Sequence, residues 1–205
     1  MRQSEGEFSR RGFLWSASLA ATAMLGGSLG AAAGQASASI GSAVDGERMR
    51  ALAAWTGLTM ETVNPVPYGA EIFHSKSGES LMRAVNAVGE EHDPSAHGEV
   101  RTIRLACKKI SSPSLRGYTL YTTCEPCPMC MACALWAGMD RVVYGATIAD
   151  ASRTGRQIPI PASEVAKRSG MSCVVDGPVE RDACWALFTD PRMQKTFQRW
   201  NSEKF

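Results

Sequence analysis

One imidazole and two thiols, set in two short segments, constrain this chain more than any other feature. The first segment is Asp93-Pro94-Ser95-Ala96-His97-Gly98-Glu99; the second is Cys124-Glu125-Pro126-Cys127-Pro128-Met129-Cys130-Met131-Ala132-Cys133. His97 lies near the start of one predicted helix, and Cys127 and Cys130 bracket the start of another. One imidazole and two thiolates fill three tetrahedral positions around Zn²⁺ and leave the fourth for water. Unpaired N–H groups at helix N-termini also favour the thiolate. A fold that uses these ligands has to bring the two helix starts together. Glu99 stands two residues after His97, too close to be a regular fourth ligand, and is placed to take a proton from water at the metal.

Other readings of the same cysteines are weaker. Cys124, Cys127, Cys130 and Cys133 are evenly spaced, as in an iron–sulfur site, but the bacterial ferredoxin run ends differently. A helix from Met129 also turns Cys127 and Cys133 to different faces. Cys127 and Cys130 alone would fit a redox pair or a structural zinc half-site; His97 and Glu99 argue against both. Cys107, Cys133, Cys173 and Cys184 read as small buried hydrophobes, with a Cys173–Cys184 disulfide left open for an oxidising compartment.

Composition excludes two classes. With 44% hydrophobic residues and a net charge of +2, the 205-residue chain is not a low-complexity disordered polymer. Its 22 Lys and Arg against 20 Asp and Glu leave no excess for a phosphate backbone, so no nucleic-acid partner is expected. Seven cysteines, an odd number, do not make a simple disulfide framework.

No charged residue occurs from Gly12 to Val44, and Ser9-Arg10-Arg11-Gly12-Phe13-Leu14 stands at its head. The stretch is rich in Ala and Gly and ends near Ala36-Ser37-Ala38. It resembles a twin-arginine export signal. That resemblance implies residues 1–38 as a cleaved leader and 39–205 as one domain exported by the twin-arginine machinery to an extracytoplasmic compartment. A retained membrane anchor is the alternative, weakened by the poor transfer energy of Ala and Gly.

Along the domain, Asp45–Thr62 carries an apolar helical stripe that Pro65 and Pro67 end. Ala70–His74 and Leu81–Val88 read as strands. Asp93-Pro94 reads as an N-cap and first helical residue, opening a helix with Val100, Ile103, Cys107 and Ile110 on one face. A strand at Gly117–Thr123, a helix at Met129–Gly138 and a strand at Arg141–Ala146 follow. Glu164–Gly170 reads as a helix, Met171–Val175 as a strand, and Glu180–Phe205 as helical with a break at Asp190-Pro191. Alternating strands and helices indicate a layered α/β sandwich.

His97-Gly98-Glu99 with Pro126-Cys127-Pro128-Met129-Cys130 is the H-x-E…P-C-x-x-C signature of zinc deaminases. With Pro67-Tyr68-Gly69-Ala70, Tyr121–Cys130 and Arg141–Gly145, the chain resembles the cytidine deaminase-like superfamily, in particular its guanine deaminase and tRNA adenosine deaminase branch. The resemblance runs from about Asp45 to the end. It implies an α/β/α sandwich of three layers with a mixed central sheet, and one Zn²⁺ per chain on His97, Cys127 and Cys130. Glu99 is then the catalytic proton carrier. Asn86, Gly98, Pro126, Asp150, Trp136 and Phe205 are the implied substrate contacts, in a homodimer. The implied reaction is hydrolytic deamination of a small base or nucleoside by water activated at the metal, with ammonia released. Export and near-neutral charge disfavour tRNA; Asp150 and the C-terminal aromatics favour guanine over cytosine, adenine and their nucleosides. A non-catalytic zinc-binding protein of the same fold is the alternative, and the intact Glu99 argues against it.

Overall fold

A computed structural model describes residues 42–202. The expected leader, 1–38, and Phe205 lie outside the described residues. Among the described residues, no helix is long and apolar enough to cross a membrane.

The chain opens with α1 (Ala43–Gly57), extended by a 3₁₀ turn (Leu58–Glu61), and continues through β1 (Gly69–His74) and β2 (Ser80–Val85). A single turn, α2 (Val88–Glu91), precedes α3 (Gly98–Lys109), β3 (Tyr118–Cys124) and α4 (Pro128–Trp136). Then come β4 (Arg141–Ala146), α5 (Ile148–Ala151), α6 (Ala162–Ser169), β5 (Val174–Asp176), α7 (Arg181–Thr189) and α8 (Pro191–Ser202). The sheet runs β2-β1-β3-β4-β5. β1 is antiparallel to both neighbours, whereas β3, β4 and β5 are parallel. The sheet is therefore mixed, as expected.

Burial on both sheet faces makes the third layer. Side chains alternate across a strand, and here both sets are apolar. Leu120 and Val142 face a cluster with Ile103 and Ala106 of α3, Met131 and Leu135 of α4, and Ala162 of α6. Tyr121 and Val143, one residue on, face Met49 and Leu52 of α1, Phe188 of α7 and Phe197 of α8. Central strands with such continuous apolar runs need helices on both sides.

α1 is fastened to the sheet by charge as well as by its apolar stripe. Ser42 and Asp45 form a capping box. The same Asp45 carboxylate accepts from the Tyr121 hydroxyl and from Arg141 at 2.8 and 2.9 Å, while Arg141 also reaches Asp176 at 2.6 Å. One buried group thus ties α1 to β3, β4 and β5. Burial raises the Asp45 pKa, but the bonds from Arg141, Tyr121 and Ser42 more than offset it, and the carboxyl ends well below its ordinary range. A depressed carboxylate contributes stability above its unfolded pKa and loses that contribution as pH falls through the folded one. Wild-type stability should therefore fall on acidification below about pH 4. Asp45→Asn should cost about 3 kcal/mol at pH 7, because Arg141 loses a buried partner, and should flatten that acid limb. Chemical denaturation at several pH values measures both; parallel profiles for the two proteins would remove Asp45 from the acid response.

Several boundaries differ from the sequence reading. α3 begins at Gly98, with His97 as its N-cap, and not at Pro94. Asp93 forms its own turn instead: Oδ1 accepts from Ser95 N at 2.8 Å and from Ser95 Oγ at 2.7 Å. The second strand stops at Val85 and gives way to α2, and the last strand begins at Val174. The Cys173–Cys184 disulfide is ruled out by the layering. Cys184 is buried on the face covered by α1 and α7, Cys173 packs with the opposite cluster, and both are free thiols.

Candidate active site

The polypeptide delivers the site at two helix starts. His97 and Cys127 are the N-caps of α3 and α4, both with extended backbone, and Pro128 fills the first position of α4. Cys130 lies in the first turn of α4. Glu125 secures the approach: its amide donates to Ala146 O at 2.7 Å, and its buried carboxylate accepts from Ile148 N at 3.0 Å and Ala162 N at 2.9 Å. The loop carrying Pro126 and Cys127 is thereby fixed against β4, α5 and α6.

His97, Cys127 and Cys130 converge. Cys127 Sγ lies 3.7 Å from His97 Nδ1 and 3.6 Å from Cys130 Sγ, and Cys130 Sγ lies 3.5 Å from His97 Nδ1. Tetrahedral bonds of about 2.3 Å to sulfur and about 2.1 Å to nitrogen place neighbouring ligand atoms roughly 3.6–3.8 Å apart. The donor set and its spacing therefore fit zinc. Among the described residues this is the one group of three or more such side chains close enough to hold a metal. Cys124 and Cys133 are outside it, so the four evenly spaced cysteines do not form one cluster. The Cys127 thiol is lowered to about 4, chiefly by the hydrogen bond from Cys130 and also by His97, so it is a thiolate at neutral pH.

Glu99 sits in the first turn of α3 with only 5% of its surface exposed. Burial raises its pKa, beyond what the His97 charge can reverse. A carboxyl in this state takes up and gives back a proton nearer neutrality than a solvated one does.

The implied substrate contacts divide. Gly98 and Asn86 stand beside the metal trio. The Asn86 amide N–H donates to Tyr68 O at 2.9 Å, and its side-chain Oδ1 accepts from Val88 N at 3.1 Å. A Cβ at Gly98 would come within 2.9 Å of Tyr68 O and 3.4 Å of Asn86 N, which is why glycine suits this helix start. Pro126 is buried next to Cys127. Asp150 is engaged elsewhere: it closes a capping box with Thr147 and pairs with Arg181 through both oxygens. Trp136 ends α4 and is 82% exposed. Tyr68 and Gln157 form a further pair whose side chains meet at 3.2 Å across 89 residues; Tyr68 stands in the Pro67-Tyr68-Gly69-Ala70 stretch, whereas Gln157 carries no local sequence signal.

A mixed sheet with an imidazole and two thiolates at converging helix starts, and a buried carboxyl beside them, defines the class of zinc-dependent deaminase folds. Residues 46–146 match the cytidine and deoxycytidylate deaminase zinc-binding region. The tRNA-specific adenosine deaminase of Bacillus subtilis is 32% identical over 144 residues, 69% of this chain and 87% of that protein. The guanine deaminase of the same organism is 40% identical over 105 residues, 48% of this chain and 66% of that protein. A tRNA-specific adenosine deaminase of Aquifex aeolicus is matched over 52% of its length, so the shared stretch covers about half to two thirds of several curated relatives. The structure of a guanine deaminase from Nitrosomonas europaea shares the fold, with a TM-score of 0.63 at 23% identity, covering 74% of this chain and 83% of that one. The chain belongs to the cytidine and deoxycytidylate deaminase zinc-binding family.

Proposed function

We propose that this protein is a hydrolytic deaminase of a nucleobase or nucleoside, with one zinc per chain and guanine as the favoured substrate. The observation that carries the reading is the convergence of His97, Cys127 and Cys130 within 3.7 Å beside the buried Glu99. Zinc, when bound by these three residues, supplies Lewis acidity that brings the pKa of a water molecule towards neutrality. Glu99 takes a proton from water and passes it to the ring nitrogen beside the amino-bearing carbon. That carbon becomes electrophilic and gains the water oxygen. Glu99 then delivers the second proton to the amine, the C–N bond breaks, and ammonia leaves a carbonyl behind. Gly98 contributes its backbone at the start of α3, and Asn86 positions the base from the neighbouring turn.

Guanine is favoured by the longer match to a guanine deaminase, 40% identity over 105 residues against 81 for a tRNA-specific adenosine deaminase at the same 40%, and by the aromatic C-terminal segment. Asp150 supports it less directly, since Arg181 would have to yield one carboxylate oxygen to a purine amino group. The near-neutral charge argues against tRNA. The likeness of Ser9–Leu14 and the uncharged stretch after it to an export signal supports an activity outside the cytoplasm, on bases met there. A homodimer belongs to the same reading. A panel of guanine, adenine, cytosine and their nucleosides, assayed for ammonia with zinc-loaded protein, tests the proposal. Release from guanine ahead of the others is the expected result; silence across the panel would favour a binding protein.

A further inference from the structure

Tyr68 has a place beside the metal trio and no part yet in the chemistry. Its carbonyl is bonded to Asn86 N and presses on Gly98, so its backbone is fixed against the start of α3. Its ring stands edge-on to Phe188 at 5.2 Å. Its hydroxyl oxygen accepts from Gln157 Nε2 at 3.2 Å, in the loop that joins α5 to α6. The same loop is tied to α8, where Asn201 Nδ2 donates to Thr154 O at 3.0 Å.

The phenol is held neutral. Burial raises its pKa, by more than the bond donated by Gln157 lowers it. A neutral phenol carries one O–H donor, and among the described residues this donor has no protein acceptor. The residue as a whole is half-buried. The geometry is that of a donor oriented by the bond its own oxygen accepts, on a residue whose carbonyl meets the start of α3, the helix that carries Glu99.

We propose that Tyr68, oriented by Gln157, donates its O–H to a ring carbonyl oxygen of the bound base and so selects oxo-bearing bases over analogues lacking that oxygen. The proposal rests on the deaminase reading and names the substrate class for it. A site built to hydrogen-bond one substrate group rejects the analogue without it, because the buried polar group is then unpaired. Gln157 is a positioning residue, since it acts through Tyr68.

The test compares kcat/KM for guanine with 2-aminopurine, which keeps the 2-amino group and lacks the carbonyl. For a pyrimidine preference, the pair is cytosine and 4-aminopyrimidine. Zinc-loaded wild type should favour the oxo-base. Tyr68→Phe should lower its kcat/KM about tenfold, mainly through KM, and leave the analogue within about twofold. Gln157→Ala should shift the same ratio in the same direction by less, with the unfolding temperature of Tyr68→Phe unchanged. An equal fall on both bases, or no fall on the oxo-base, overturns the role of Tyr68 and leaves the deaminase standing. So does a wild type that deaminates adenine and spares oxo-bases. A wild type that releases ammonia from no base overturns the deaminase reading and the selection with it.

Discussion

Glu99→Gln retains one zinc per chain and loses about a thousandfold or more in kcat, a result expected from where the carboxyl lies and what it touches. Positioned proton transfer contributes roughly 10²–10⁴-fold, and here one group is asked to move protons twice in each turnover. Glu99 is buried in the first turn of α3 and lies outside the ligand trio. Glutamine matches it in shape, so the helix start and the ligands keep their places. Burial already pushes the Glu99 pKa upward, which means that the folded protein is working against its ionised form. Removing the charge should leave stability equal or greater, so the lost activity cannot be put down to unfolding. Zinc analysis, thermal unfolding and ammonia release on the same preparation separate these effects. Near-normal turnover would assign the proton transfers to another group.

Cys127→Ala is the second large effect, and it falls on the metal. Cys127 is the ligand already ionised at neutral pH, through its bonds from Cys130 and His97. Even groups that only support a metal ligand contribute 10–100-fold in affinity; deleting the thiolate itself should exceed about 100-fold. The variant should emerge from dialysis with zinc far below one per chain and no detectable turnover. Cys133→Ala is the matched control. Cys133 occupies the next place in the same even spacing, yet it packs in the apolar cluster under α3 and α4. It should keep full zinc and full activity. Loss of zinc from Cys133→Ala would show that the fourth cysteine is a ligand after all.

The chemistry was legible in the sequence because its spacing is local. Cys127 and Cys130 sit one helical turn apart, and His97 and Glu99 share one helix start, so four residues declared themselves in two segments. The mixed three-layer architecture followed from resemblance to a fold, supported by apolar runs such as Leu120-Tyr121 and Val142-Val143 that are buried on both faces. What escaped was the competition for side chains. Asp93 looks like a helix cap but makes a turn with Ser95, shifting the start of α3 by four residues. Asp150, an implied substrate contact, is paired with Arg181, 31 residues away, a partner that its sequence neighbours do not reveal. Tyr68 and Gln157 form a pair that no periodicity foretells, because only the folded loop between α5 and α6 brings them together. Cys173 and Cys184 illustrate the same limit, since sequence separation says nothing about opposite faces of a sheet.

Water at this site is expected to replace an amino group on a base, with Glu99 moving the protons. Turnover of the favoured base in water enriched in oxygen-18, read by mass spectrometry of the product, tests it most directly. One labelled oxygen per product, one ammonia per label, and neither from Glu99→Gln is the predicted result. Unlabelled product, or label that appears equally with Glu99→Gln, would contradict it.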